Sequence, residues 1–290
     1  MKTRGVAIGC FCASVLLGVS VVTPGEARTP GASARALGIG DAVRAIGLGT
    51  AGLYFNPACM SQVRQYAIDT GYGYQGEEGV HNYHASVVDS QTNPEVAAGF
   101  GYTYSQSNRT GVQRKGHDIR VALSGGFGDE ALRFAVGAGF RYLRVSGQKA
   151  PVTMGSFDVG ALLSVQGLFH VGVSGQNLVT RSTVHAPRLL GVGAAVSVSA
   201  LQVSADVTVD FDSRPTTQAS PAFGVEYVAL GAVAIRAGFA WDRTAFPDQK
   251  RVTGGLGYVS QYVGVEVGYA HDVVHKENWL IESAVRVFLP

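Results

Sequence analysis

The sequence is poor in charge and in cysteine, and each shortage excludes a class of protein. Only 15% of its 290 residues are charged and the net charge is +2, whereas a soluble domain usually carries about 25% charged residues. Lys and Arg form no cluster, so nothing favours a nucleic-acid partner. Two of the three cysteines lie in the N-terminal leader, which leaves Cys59 alone in the remaining chain. An intramolecular disulfide is therefore not expected there.

Long apolar runs are also missing beyond the start of the chain. After the leader, no run reaches the roughly 18 residues that a membrane-spanning helix requires. The leader itself has two early cations, an apolar stretch over 6–22 and small residues before a cleavage position after Ala27. This pattern predicts a signal peptide over residues 1–27. The alternative is an uncleaved anchor, which the helix-breaking Pro24-Gly25 disfavours.

What the sequence does contain is a repeated unit of about ten residues with alternating apolar and small or polar residues, followed by a turn. In 201–211, for example, Leu, Val, Ala and Phe occupy the odd positions and Gln, Ser, Asp and Thr the even ones. Period two places alternate residues on opposite faces of a strand. The pattern predicts about fourteen strands, at 64–74, 80–88, 95–105, 116–127, 131–145, 155–166, 168–176, 187–199, 200–211, 219–229, 231–241, 249–259, 261–271 and 279–289.

An even number of such strands predicts an all-β fold, namely a transmembrane antiparallel β-barrel over residues 63–290. From residue 106 onward, long and short links alternate, as extracellular loops and periplasmic turns do. A soluble sandwich or lipocalin-like barrel is the alternative, but it would coat its outside with Lys and Glu. Aromatic residues lie mostly near strand ends on the apolar face, as in an interfacial girdle: Tyr72, Tyr74, Tyr102, Tyr104, Tyr142, Trp241, Tyr269 and Trp279.

Residues 28–62 differ from the rest because they show no strand alternation. A short helix is predicted within 35–46, although Gly38 and Gly40 weaken it. Asn56 before Pro57 favours a turn, and the proline prevents a helix from continuing.

This segment also carries a family resemblance. The sequences RALGIGDA at 35–42 and LYFNPA at 53–58 resemble the N-terminal segment of the FadL/PorV superfamily of outer-membrane barrels. Further along, GVSGQNL at 172–178, GVEY at 224–227 and IRAGF at 235–239 resemble PorV-type strand motifs. Two features depart from the family pattern: Cys59 takes the place of a glycine, and the chain ends Phe-Leu-Pro rather than on an aromatic residue.

The resemblance implies a fourteen-stranded barrel in the outer membrane of a Gram-negative-type bacterium, with residues 28–62 folded into the lumen as a hatch or plug. The hatch turn would be Asn56, Pro57 and Ala58. FadL-type members transport hydrophobic molecules, which implies outer-membrane lipid and a small hydrophobic ligand as partners. PorV-type members are non-transporting accessory barrels, which implies proteins of a secretion or surface-motility apparatus instead.

The inward faces of the predicted strands carry charges of both signs. Isolated charges in a narrow lumen are costly, so we expect them to pair with one another or with the hatch. They form either a polar path with a hatch latch or a network that holds a plugged lumen. The predicted lumen charges are Arg120, Arg133, Arg141, Asp206, Asp210, Glu226, Arg236, Glu266, Glu282 and Arg286.

No residue pattern indicates catalysis, a metal site or a cofactor. His81 and His84 lie three apart on a strand and should face opposite sides, so they are not expected to share a metal. His170 and Ser174 share a face of one strand, but the strand rise separates them by about 13 Å, too far for a nucleophile and its base. The expectation is a protein that is not an enzyme.

Overall fold

The computed structural model describes residues 33–76, 78–93, 95–108, 113–147, 151–179, 186–245 and 247–289. Fourteen antiparallel strands form one closed barrel in which each strand pairs with its neighbours in sequence and β1 pairs with β14. The strands are β1 (Tyr66–Gln75), β2 (Val80–Asp89), β3 (Val96–Ser107), β4 (Arg114–Gly128), β5 (Leu132–Ser146), β6 (Val152–Val165), β7 (Phe169–Gln176), β8 (Leu189–Val198), β9 (Leu201–Asp210), β10 (Gln218–Ala229), β11 (Val233–Asp242), β12 (Gln249–Val259), β13 (Val263–Asp272) and β14 (Trp279–Leu289).

The fourteen predicted strands are confirmed, with ends that differ by at most three residues. The predicted phase is also confirmed, because exposure alternates along each strand. In β9, Val203 and Val207 point outward and are exposed, whereas Ser204 and Asp206 point inward and are buried. The described residues include no helix long and apolar enough to cross a membrane.

The outward face of the barrel is covered with apolar side chains. Leu123, Phe157 and Phe223 each remain more than half exposed, and Val, Leu and Ile fill most positions between them. An apolar surface this extensive is rare on a protein surrounded by water. It fits the acyl region of a bilayer and disfavours the soluble alternative.

The links divide the barrel into two ends. The end that carries the start of β1 and the finish of β14, here called the terminal end, has mostly tight turns: 90–95, 129–131, 166–168, 199–200, 230–232 and 260–262. The opposite end, here called the loop end, has mostly longer links: 76–79, 108–113, 147–151, 177–188, 211–217, 243–248 and 273–278. The predicted alternation of short and long links is confirmed.

The residues before β1 are helical in short pieces. Helix α1 (Ala34–Gly38) begins at Ser33, whose Oγ accepts a hydrogen bond from the N–H of Ala36. The expected helix over 35–46 is wrong beyond this point, because Gly40 and Asp41 both adopt positive φ and end the helix. Helix α2 (Thr50–Phe55) follows.

The predicted turn at Asn56 is confirmed. Asn56 is extended, and Pro57 is the first residue of a 3₁₀-helix (Pro57–Ser61). A proline tolerates this position because its missing N–H has no partner to lose there.

Candidate functional site

The described part of the N-terminal segment, residues 33–62, lies against inward-facing side chains of the barrel. Helix α1 packs on β11–β14, helix α2 mainly on β1–β4, and the 3₁₀-helix on β3–β6. Nearly every residue of 33–61 is buried, including Arg35 and Arg44. Hydrophobic contacts join Leu53, Tyr54 and Met60 of the segment to Val88 and other residues of the barrel wall. The segment therefore forms one packed unit with the wall.

Inward-facing glycines of the wall make this close approach possible. A Cβ added at Gly172 would lie 2.1 Å from the carbonyl oxygen of Arg44, and one at Gly160 would lie 1.9 Å from Oδ1 of Asn56. Real Cβ atoms do not reach such distances. A side chain at either position would displace the segment, so these glycines leave the space in which the segment packs.

Asn56 fixes the turn through three hydrogen bonds. Its Nδ2 donates to the carbonyl oxygens of Arg44, at 2.8 Å, and of Ala161 on β6, at 3.2 Å. Its Oδ1 accepts from the N–H of Ala58, at 3.1 Å. The side chain is fully buried. Asn56 thus ties the turn both to the preceding part of the segment and to the barrel wall.

Six charged side chains and His84 form a continuous chain of contacts, here called the charge chain, which runs from β10 to β2. It begins in the N-terminal segment, where the guanidinium of Arg35 donates to both carboxylate oxygens of Glu226. The charge chain then passes through Arg236, Glu266, Arg286, Asp69 and His84.

Two contacts in the charge chain are short hydrogen bonds. Arg236 donates to Glu266 at 2.6 Å and Arg286 to Asp69 at 2.8 Å. Arg286 and Glu266 approach to 3.6 Å. Thr50 of α2 donates to Asp69 at 3.3 Å. The charge chain therefore holds the N-terminal segment at two points, Arg35 and Thr50.

A second group of charges, here called the Asp118 cluster, lies on β4–β6. Asp118 accepts from Arg141 at 2.7 Å and from Arg120 at 3.3 Å, and Arg120 lies 3.6 Å from Asp158. Arg120 also donates to the carbonyl oxygen of Tyr54 and lies 5.1 Å from the centre of its ring. This cluster holds the end of helix α2.

The remaining predicted lumen charges occupy separate places. Asp206 accepts from the backbone N–H of Arg44 at 2.9 Å and from its guanidinium at 3.3 Å. Arg133 donates to the carbonyl oxygen of Ser61 at 2.9 Å. Glu282 is buried 3.9 Å from His84, next to the charge chain.

Asp210 lies apart from the N-terminal segment, at the loop end of β9. Its carboxylate accepts hydrogen bonds from the backbone N–H groups of Asp212 and Ser213. The structure therefore gives Asp210 a local role, which is to close the turn after β9.

Five charged residues of this assembly are not among the predicted lumen charges: Arg35, Arg44, Asp69, Asp118 and Asp158. The signal for Asp69 and Asp118 was present, since the period-two phase puts Asp118 on the same face of β4 as Arg120. Arg35 and Arg44 lie in the stretch without alternation, where no pattern tells which way a side chain points.

Cys59 lies within a small apolar cluster with Ala58, Ala135 and Leu162. Burial raises the pKa of the Cys59 thiol to about 12. The thiolate is the reactive form of cysteine. Cys59 is therefore chemically inert at neutral pH while the segment is in place.

The two histidines of β2 face opposite sides, as predicted. His84 points inward and its Nε2 lies 3.1 Å from Asp69, whereas the Nδ1 of His81 lies 2.9 Å from the hydroxyl of Tyr72 on the outer face. Within the described residues, no group of three or more His, Cys, Asp or Glu is placed to hold a metal ion.

The fold has counterparts among solved structures. The CymD monoaromatic hydrocarbon channel matches with a TM-score of 0.59 at 12% sequence identity, over 88% of this chain and 98% of that one. The toluene transporter TodX of Pseudomonas putida matches with a TM-score of 0.58 at 11% identity, over 89% of this chain and 97% of that one. The outer membrane protein Omp33 of Acinetobacter baumannii gives a TM-score of 0.51 at 13% identity, over 78% and 98% of the two chains.

These likenesses establish the fold, a closed barrel of the kind found in outer-membrane channels. No model of a known protein family matches the sequence. No curated protein sequence matches it either.

Proposed function

We propose that the protein is an outer-membrane barrel that passes small hydrophobic molecules across the membrane, and that its N-terminal segment is the hatch that closes the lumen. The hatch turn is Asn56, Pro57 and Ala58. The names of two similar structures, a monoaromatic hydrocarbon channel and a toluene transporter, support the class of ligand. The apolar outer surface supports a location in the membrane.

The observation that carries the proposal is the way in which the segment is attached. Residues 33–62 add no strand to the sheet and are held to the wall by contacts that involve side chains, chiefly those of Arg35, Arg44 and Asn56. Such contacts can be broken without opening the barrel, because no strand pairing depends on them. A segment held in this way can detach from the inner wall of the barrel and bind to it again.

A second candidate is a non-transporting accessory barrel of the PorV type, in which the segment is a permanent plug. One observation favours it: buried charges on both sides of the segment are paired with it, at Glu226 and at Asp206. Breaking a buried pair leaves an uncompensated charge, which is strongly unfavourable. The two candidates differ in whether the segment moves during function.

An Asn56→Ala substitution tests the hatch. The substitution removes three hydrogen bonds worth about 1 kcal/mol each, which should weaken the attachment of the turn to the barrel wall and to the rest of the segment. We expect the intact protein in lipid vesicles to admit a fluorescent hydrophobic probe, and the variant to admit it several-fold faster. The measurement is the initial rate of probe uptake.

The control is Asn82→Ala, because Asn82 is also buried and inward-facing but contacts Ser105 of the wall. This variant should take up the probe at the wild-type rate. If wild-type protein admits no probe, or if both variants behave alike, the hatch proposal is wrong and the accessory role becomes the better account.

A further inference from the structure

The outward faces of β3–β6 carry very few ionisable side chains, and all of these except tyrosines are basic. Three such residues are present, all toward the loop end: Lys115, His117 and Arg144. The other outward positions of these four strands are apolar, aromatic or small and neutral, apart from the uncharged amide of Gln106. Acidic residues of these strands, such as Asp118 and Asp158, face inward. Hence no described carboxylate on these outward faces neutralises the three basic residues.

The three basic side chains converge because of strand register. His117 on β4 is paired with Arg144 on β5, and Lys115 lies two residues along from His117 on the same face. Directly opposed residues have Cβ atoms about 5 Å apart, and neighbours on one face of a strand lie about 7 Å apart. All three groups can therefore contact one anion of the size of a phosphate.

The three basic residues, here called the basic patch, lie beside aromatic residues that indicate their depth in the membrane. The hydroxyl of Tyr102 lies 2.8 Å from Nδ1 of His117, and the ring of Tyr104 packs against that histidine at 5.3 Å. Tyrosines at this position belong to the outward belt that marks a membrane–water interface. The basic groups thus lie at the level of lipid headgroups rather than in water or among acyl chains.

The two ends of this wall differ in charge. At the terminal end beside β2–β5, four carboxylates are present: Asp89 at the end of β2, and Glu95, Asp129 and Glu130 in or beside the turns. The loop end beside the same strands has one described carboxylate outside the strands, Glu78 in the link before β2. The basic patch is at the loop end, the side on which longer extracellular loops are normally found. Basic residues at the level of the headgroups attract anionic lipid.

We infer that Lys115, His117 and Arg144 form a binding site for the phosphate of a phosphorylated glycolipid in the outer leaflet. Arg144 supplies the planar donor pair that suits phosphate oxygens, and Lys115 supplies a compact positive charge. The inference rests on the proposed location in the outer membrane, but not on the proposed transport.

Binding of lipid A to the full-length protein in non-ionic detergent tests the site. The double substitution Lys115→Gln and Arg144→Gln removes two charges from the patch. Its control, Arg64→Gln with Lys276→Gln, removes two charges from exposed positions elsewhere. Native mass spectrometry gives the affinity for bis-phosphorylated lipid A and for its dephosphorylated form, and the heat-dependent gel shift of folded barrels shows that each variant is folded.

We expect wild-type and control proteins to prefer the phosphorylated lipid at least tenfold, and the patch variant to lose that preference. Equal affinity for the two lipids, or an unchanged preference in the folded patch variant, would contradict the proposed binding site. So would displacement of the lipid by millimolar inorganic phosphate, which would assign the patch to free phosphate. Probe uptake is measured on the same samples, so failure of the lipid site is distinguishable from failure of the transport proposal.

Discussion

Deletion of residues 28–62 is expected to open the lumen that the proposed hatch closes, and so to make the barrel conduct ions. Fourteen strands enclose a lumen between that of small filled barrels and that of porins with open channels. In the structure the inward glycines leave room that the segment occupies, as at Gly160 and Gly172. Without the segment, we expect single-channel conductance in planar bilayers to rise by at least about tenfold, toward that of an aqueous pore.

A single substitution should reproduce part of this effect. Gly172→Val places a side chain where the carbonyl of Arg44 now lies, so the segment cannot seat fully. The matched control is Gly116→Val, on the inward face of β4, since a Cβ at Gly116 would come within 4 Å only of the side chain of Ser105, at 3.5 Å. Conductance that stays at the wild-type level in both the deletion and the Gly172→Val variant would show that other residues close the lumen.

Glu226→Ala should cause the largest loss of stability among single substitutions in the lumen. Glu226 accepts hydrogen bonds from Arg35 of the segment and from Arg236 of the adjacent strand. Removing its carboxylate leaves two buried guanidinium groups without it, and breaking a buried pair typically costs about 3–5 kcal/mol. Urea unfolding of the protein in lipid vesicles measures the free energy of unfolding.

Two further variants distinguish the contribution of the Arg35–Glu226 pair to the free energy of unfolding from the loss that any arginine substitution would cause. Arg35→Ala combined with Glu226→Ala should cost less than the sum of the two single changes, because the two side chains share one interaction. Arg188→Ala, at an exposed arginine paired with Asp212, should change stability by at most about 1 kcal/mol. Strict additivity of the first pair would contradict the role of Glu226 in holding the segment.

Local patterns explain why the strands were predictable and the lumen only in part. The period-two alternation of each strand depends on ten consecutive residues, so it placed β9 and β14 on the right faces without knowledge of the fold. The partners of lumen charges depend on the closure of the whole barrel. Arg35 and Glu226, for instance, are 191 residues apart in sequence.

The N-terminal segment shows the limit of this reasoning most clearly. The backbone preferences of Asn56 and Pro57 alone are enough to predict the turn. The end of α1 was misplaced because Asp41 joins Gly40 at positive φ, which local propensity does not favour for a non-glycine residue. Asp210 is buried on the face that the alternation predicts, but its carboxylate accepts hydrogen bonds from the N–H groups of Asp212 and Ser213, a turn contact that the alternation does not predict.

A disulfide tether between the segment and the wall tests whether the segment moves during transport. The Oγ of Ser61 lies 3.3 Å from the position of a Cβ added at Gly126 on β4, close to the roughly 3 Å between a disulfide sulfur and its partner's Cβ. Ser61→Cys with Gly126→Cys should therefore lock the 3₁₀-helix to the wall. The native Cys59 is buried and should not interfere.

The measurement is hydrophobic-probe uptake by this variant in vesicles, first oxidised and then reduced. We expect the oxidised protein to admit little probe and reduction to restore the rate of a Ser61→Cys single variant. Equal uptake before and after reduction, with the disulfide verified by mass spectrometry, would contradict a moving hatch.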